Sequence, residues 1–347
     1  MKKKNKGKGI GLLIFILLFG MAAWITFEYY KKIYQSTTSF KGEEYFYVYS
    51  HWEMKDLKEG LLQQNIINDL SSFEWVADKK EFKKPIAGKY LIHEGINNNE
   101  LVNLLRSGQQ ETVQLTFNNI RLVEQLAGRV AQQLELDSIT LLNQLKNEEL
   151  ARQYGFTAST FILMFLPNTY EFYWSTSTEK FIQRMAREYK TFWTEERQQK
   201  ARNIGLSQSE VGVLASIVKA EQLLHAEERP RIAGLYLNRL KIGMPLQSDP
   251  TLIYALNDFS IKRVLNEHKT VESLYNTYKY KGLPPGPIYL PSGSAIDAVL
   301  NYEKSDYLYM CAKEDFSGYH HFSKSLRQHN IHAKAYQNAL NSRKIMR

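Results

Sequence analysis

The chain has 347 residues, 44% hydrophobic and 23% charged, which is enough for two or three modest domains and excludes a disordered chain or a lone peptide module. Forty-five Lys and Arg against 36 Asp and Glu leave a formal charge of +9, but Lys2, Lys3, Lys4, Lys6 and Lys8 supply five of those positives. The remaining mild basicity suits a membrane or cell-wall surface and falls short of the dense patches of a nucleic-acid binder, while Cys311, the only cysteine, excludes an intrachain disulfide.

After the lysines, Gly9–Phe27 runs without a charge, long enough at about 1.5 Å per residue to cross a hydrocarbon core of about 30 Å. The run exceeds a signal-peptide core and no small-x-small cleavage site closes it, so an anchor helix over 9–30 is expected. The lysines before it place residues 1–8 in the cytoplasm by the positive-inside rule, and everything beyond about residue 30 outside it. Residues 31–42 read as a polar linker.

YFYVY (45–49) has strand composition, and the apolar spacing of 54–67 is helical. The grammar repeats with a glycine-broken strand in 84–95, a short helix in 97–108 closed by Gly108, and an alternating strand in 111–117. Residues 43–117 are therefore expected to form a small α+β unit. Amphipathic helices follow at 121–134 and 138–155, then the aromatic, proline-broken FLPNTYEFYW (165–174), then one long helix or two over 178–205. The fold class expected is α+β: an anchor helix, a small α+β subdomain, and a mainly helical domain over 118–347 with some short strands.

SQSE (207–210) is a capping box, so a helix starts just after Ser207, with Val211, Leu214, Ile217 and Val218 on its buried face. Continued, that face reaches Glu221 and then Leu224. A carboxylate on an apolar stripe either pairs with a cation or keeps its proton, because desolvation disfavours its charged form. A retained proton suits a general acid. The structural alternative is a stripe-edge Glu221 bonded to His225 or to a backbone amide. Next, Pro230 opens a helix over 231–243, Pro245–Ser248 forms a polar loop able to face Glu221, and Asp249 is the expected N-cap before Pro250.

ASIVKAEQ (215–222), LYLNRLKIGMPLQSDPTLIYAL (235–256), YNTYKYKGLPPGPI (275–288) and SGYHHFSKSLRQHN (317–330), in that order, resemble the YceG-like/MltG family of endolytic murein transglycosylases. AGKYLIHEG, LLRSG and PNTYEF upstream resemble its membrane-proximal segments, so the likeness spans about 43–332. The resemblance implies a LysM-like subdomain over 43–117 and Glu221 as the catalytic acid. It departs from the family pattern at Lys219, where a Glu is usual, at Leu290, Pro291 and Ser292 in place of Asn-Pro-Gly, and at Ile162 and Leu163.

A lytic transglycosylase needs one carboxylate, which protonates the bridging oxygen between MurNAc and GlcNAc and then takes the proton of the sugar's own 6-hydroxyl, closing a 1,6-anhydro ring. Gln247, Asp249, Asn238 and Tyr254 are the polar groups expected along the cleft, with Asn276, Tyr278, Tyr170 and Glu171 as further contacts. GLPPGPI would form a stiff lip, and Tyr319–Phe322 a strand on the rim. His320, His321, His329 and His332 lack a zinc-site pattern, so neither metal nor cofactor is expected. The resemblance implies glycan strands and peptidoglycan synthases as partners, no nucleic acid, and an inner-membrane location with the catalytic part periplasmic. Two alternatives stand: a water-using muramidase with Glu171 or Asp249 as second carboxylate, and a non-catalytic wall-binding scaffold.

Overall fold

The computed structural model describes residues 6–261 and 263–343, so most of the expected basic tail over 1–8 lies outside the described residues. The chain divides into two compact units, one reaching Gln114 and including Glu171–Thr176, the other formed by Leu115–Tyr170 and the chain from Ser177 onward.

In the first unit, helix α1 (Lys6–Tyr34) contains the 26-residue stretch Gly9–Tyr34, whose most apolar 18 residues have a mean hydropathy of 2.5 and nothing packed around them, long and apolar enough to cross a membrane. The expected linker over 31–42 is not a free one. The helix persists to Tyr34, Tyr29 packs its ring on Trp75 at 5.1 Å, and the Lys32 carbonyl accepts from the Asn98 side chain at 2.9 Å. Thr37 is buried, donating through both its amide and its hydroxyl to the Ile96 carbonyl. Backbone polar groups that pair with an ordered core cannot also be slack chain.

Strand β1 (Glu43–Val48) pairs antiparallel with β2 (Gly88–His93), Phe46 opposite Tyr90. Between them lie α2 (Met54–Gln63) and α3 (Leu70–Lys79), and after them α4 (Asn98–Ser107). Helix α3 has no counterpart among the sequence expectations. Asp69 caps it by accepting from the amides of Ser71 and Ser72, and Phe73, Val76 and Ala77 turn inward. The predicted stop of α4 holds: Gly108 takes the left-handed conformation, φ +69°. Leu57, Phe73, Tyr90 and Leu101 are fully enclosed in this unit's core.

Strands β3 (Thr112–Phe117) and β4 (Asn168–Tyr173) pair with each other, and the division between the units falls within both. The proline-broken aromatic run thus supplies a strand after Pro167. The second unit is mainly helical: α5 (Val123–Ala131), α6 (Ser138–Leu145), α7 (Glu148–Gln153), α8 (Thr178–Phe192), α9 (Glu195–Asn203), α10 (Gln208–Glu221), α11 (Arg229–Lys241), α12 (Asp249–Leu256) and α13 (Gly293–Leu300). Antiparallel strands β5 (Tyr309–Ala312) and β6 (His320–Ser323) and helix α14 (Leu326–Ser342) close the chain. The single helix expected over 138–155 breaks in two, because Asn147 caps a new start by accepting from the Leu150 amide.

Helix α10 is the axis of this unit. Every residue from Val211 to Lys219 is buried, so the one-sided stripe expected from periodicity is instead a helix covered all round. Its small polar residue is used: Ser216 Oγ donates to the Val213 carbonyl and accepts from the Ile288 amide. Ile232, Leu235 and Tyr236 of α11 and Ile296 and Val299 of α13 belong to the same core. Gly234 lets α11 meet the chain after α13 closely, for a Cβ there would lie 2.2 Å from the Glu303 carbonyl oxygen.

Candidate active site

The capping box predicted from SQSE starts α10. Ser207 Oγ accepts from the Glu210 amide at 3.2 Å, and the Glu210 carboxylate accepts from the Ser207 amide at 2.8 Å. The helix ends at Glu221, since Gln222 leaves helical geometry, and Leu224 is therefore 79% exposed instead of continuing the stripe. Glu221 opens on a cavity of about 360 Å³ that Tyr236, Arg239, Gln247, Asp249, Tyr278, Cys311 and His320 also line.

One carboxylate oxygen is cradled and the other is not. Tyr236 Oη donates to Glu221 Oε1 at 2.7 Å and Ser248 Oγ donates to the same atom at 2.5 Å, while Oε2 has no partner among the described residues. With Oε1 occupied as an acceptor, a proton held by the group belongs on Oε2. Burial pushes the Glu221 carboxyl above the ordinary carboxylate range, and the nearby Asp249 charge adds to that; the two hydroxyl donors and His320 oppose it without reversing it. The alternative partner His225 is engaged elsewhere, bonded at 2.9 Å to the Ser317 carbonyl and stacked on Tyr319 at 3.7 Å.

Gln247, Asp249 and Tyr278 come together at the cavity. Gln247 holds a left-handed backbone, φ +51°, with its amide bonded to the Thr277 carbonyl, and this bend puts Ser248 under Glu221. Asp249 is not the helix cap expected of it: Ser248 holds the N-cap position, and Asp249, one place on, accepts from Tyr278 Oη at 2.5 Å.

The remaining expected contacts are not among the cavity-lining residues. Asn238 ties α11 to the carbonyls of Ser305 and Tyr307, and Asn276 is fully buried, donating to the carbonyls of Lys269 and Val271. Tyr254 packs on Tyr275, Tyr170 bonds the Leu166 carbonyl, and Glu171, in the first unit, accepts from Gln114. The GLPPGPI run also lines no part of the cavity; its Ile288 amide is fastened to Ser216. Lys219, at a position of departure from the family pattern, points its ammonium at the Leu290 carbonyl, 3.2 Å away, and over the Tyr289 ring, with burial lowering its pKa to about 8.

Two residues of the cradle were missed from sequence. Tyr236 falls on the apolar face of its helix and reads as core, and Ser248 stands beside the more obvious Asp249. The histidines are bonded or stacked, His320 on Glu228, His321 on Glu314 and His332, His329 on Tyr309. Among the described residues no group of three or more His, Cys, Asp or Glu is placed to hold a metal. A second cavity of about 470 Å³, lined by Tyr154, Tyr189 and Arg202 among others, contains no carboxylate.

The profile of the YceG-like family matches residues 46–335. Over 302 residues the chain is 29% identical to the endolytic murein transglycosylase of Bacillus subtilis (strain 168), covering 82% of each chain. Over 291 residues it is 28% identical to the endolytic murein transglycosylase of Streptococcus pneumoniae serotype 2 (strain D39), covering 74% of this chain and half, 50%, of that one. The fold is similar to the 2.6 Å crystal structure of a YceG-like protein of Listeria monocytogenes, with a TM-score of 0.56 at 26% identity, covering 84% of this chain and 98% of that one.

Proposed function

This chain belongs to the YceG-like family, and from that membership we propose that it is an endolytic murein transglycosylase in which Glu221 serves as acid and then as base. The observation that carries the reading is the half-occupied carboxyl: Oε1 fixed by Tyr236 and Ser248, Oε2 unbonded, and burial favouring the protonated form. Oε2–H donates to the oxygen bridging MurNAc and GlcNAc as that bond breaks. The resulting carboxylate then takes the proton of the MurNAc 6-hydroxyl as its oxygen closes on C1, leaving a 1,6-anhydro end and a protonated Glu221. No water is consumed, and no second carboxylate is required.

The reading extends to the rest of the chain. Helix α1 anchors the protein with both units outside the cytoplasmic membrane, where nascent glycan strands are cut and their growth ended, in company with peptidoglycan synthases. The strand–helix–helix–strand order of the first unit supports a LysM-like module. Gln247, Asp249 and Tyr278 are the proposed sugar contacts of the cavity. Asp249 also favours one second reading, a muramidase that activates water, because it is a carboxylate in the same cavity.

Mass spectrometry of fragments from un-crosslinked glycan strands separates these. Wild-type protein is expected to give 1,6-anhydro ends and Glu221→Gln to cut at least ~10²-fold more slowly, the low end of what a positioned acid–base contributes. Reducing ends would establish the muramidase, and intact strands a non-catalytic scaffold.

A further inference from the structure

The chemistry above leaves unused a polar cluster that starts one residue beyond Glu221. Gln222, at the end of α10, is 2% exposed and donates to Glu228 Oε2 at 2.7 Å and to the Gly318 carbonyl at 2.9 Å. Glu228, 6% exposed just before α11, also accepts from the His320 amide at 3.0 Å and faces His320 Nδ1 at 2.7 Å. Burial raises the Glu228 carboxyl, yet the bonds from His320 and Gln222 outweigh it and keep the group below its ordinary value. A carboxylate only accepts, so His320 turns an Nδ1–H toward Glu228, which leaves Nε2 as the ring's second hydrogen-bonding atom. That nitrogen has no partner among the described residues, and His320 lines the cavity that contains Glu221.

A buried, fully bonded carboxylate that orients one imidazole, whose other nitrogen is left open in the cavity of Glu221, is the arrangement of an aimed hydrogen-bonding group. We propose that His320 contacts substrate, its Nε2 forming a hydrogen bond with the acetamido group or a ring hydroxyl of the amino sugar bound at Glu221, with Glu228 as the positioning residue that fixes the orientation of the ring. The inference rests on the reading of this cavity as a glycan site. It adds a recognition contact on the β6 side, opposite in sequence to the contacts on the loop before α12, and it assigns no proton transfer to His320.

The test measures binding, so that catalysis does not obscure it. Full-length Glu221→Gln protein is titrated calorimetrically with un-crosslinked glycan oligomers, alone and with a second substitution. His320→Asn keeps a donor toward Glu228 but has nothing at the Nε2 position, so it is expected to fold and to bind about tenfold more weakly, the worth of one well-made hydrogen bond. His320→Gln restores a hydrogen-bonding atom near that position and is expected to recover most of the loss. Glu228→Gln loosens the orientation of the ring and is expected to weaken binding similarly, adding nothing when His320 is already Asn. Undiminished binding by His320→Asn overturns the contact, and a Glu228→Gln loss that adds in full to the His320→Asn loss overturns the positioning role. Glycan that binds but ignores residue 320 overturns this inference alone, whereas no glycan binding at all overturns the function reading with it.

Discussion

At the scale of single residues, the Glu221 carboxyl is governed by an imbalance: two hydroxyl donors favour its charged form, and burial favours its neutral form more strongly. Tyr236→Phe removes one donor without leaving a cavity. Glu221 should then hold its proton to higher pH, so the alkaline limb of the pH–rate profile moves upward while the maximal rate falls roughly tenfold, for one hydrogen bond of ~1.5 kcal/mol. A limb that stays in place would show that the tyrosine does not act on the acid. Lys219 offers the complementary case of a buried cation. Its pKa is lowered from 10.5 to about 8, so the unfolded chain binds the proton more tightly across that interval and stability rises with pH there. Lys219→Met should therefore stabilise the protein at pH 7 by up to ~3 kcal/mol, less whatever the lost bond to Leu290 contributed, with the gain fading between pH 8 and 10.5 in thermal denaturation. The enclosure of the Glu221 carboxyl was legible in sequence, because a carboxylate that continues an apolar stripe is conspicuous. Its cradle was not, because a buried tyrosine and a loop serine carry no signal until Tyr236 on α11 and Ser248 before α12 are folded onto one oxygen.

At the scale of elements, local signals performed well where the chain supplies its own caps. The Ser207–Glu210 box and Gly108 mark their helix ends as predicted, since both work through bonds or backbone angles within a few residues. They failed where a capping side chain competes with continuing periodicity, as at Asn147, or where a helix is central and has no polar face to betray its phase, as in α10. What holds α10 in place is close approach by its neighbours, and Gly234 on α11 is the sharpest instance of such packing. Gly234→Ala would drive a methyl group against a backbone carbonyl that no rotamer change can move. A cost of about 1–3 kcal/mol is expected, the usual range for overpacking, read as a lowered melting temperature. A melting temperature equal to wild type would mean that the Glu303 segment yields freely.

At the scale of the whole molecule, the sequence conveyed a helix long and apolar enough to cross a membrane and a mixed, mostly helical body, but not how the two are joined. A polar stretch such as 31–42 looks like a tether, and only the fold reveals that its polar groups are spent on Ile96, Asn97 and Asn98. With α1 running unbroken to Tyr34 and its last turns seated on Trp75, the helix and the first unit turn as one piece. Set in a bilayer, the uncharged run Gly9–Phe27, about 28 Å long as a helix, matches a hydrocarbon core of about 30 Å, and where the membrane is thinner it becomes an excess that is absorbed by leaning over. Lean of the helix is then lean of the unit, so bilayer thickness is converted into an angle. Oriented-sample spectroscopy in short-chain and long-chain lipids should show the first unit inclining further as the membrane thins. A true tether would leave its orientation indifferent to the lipid. With α1 in a bilayer, the membrane's own geometry would become an input to the protein, sensed through a joint that has no slack.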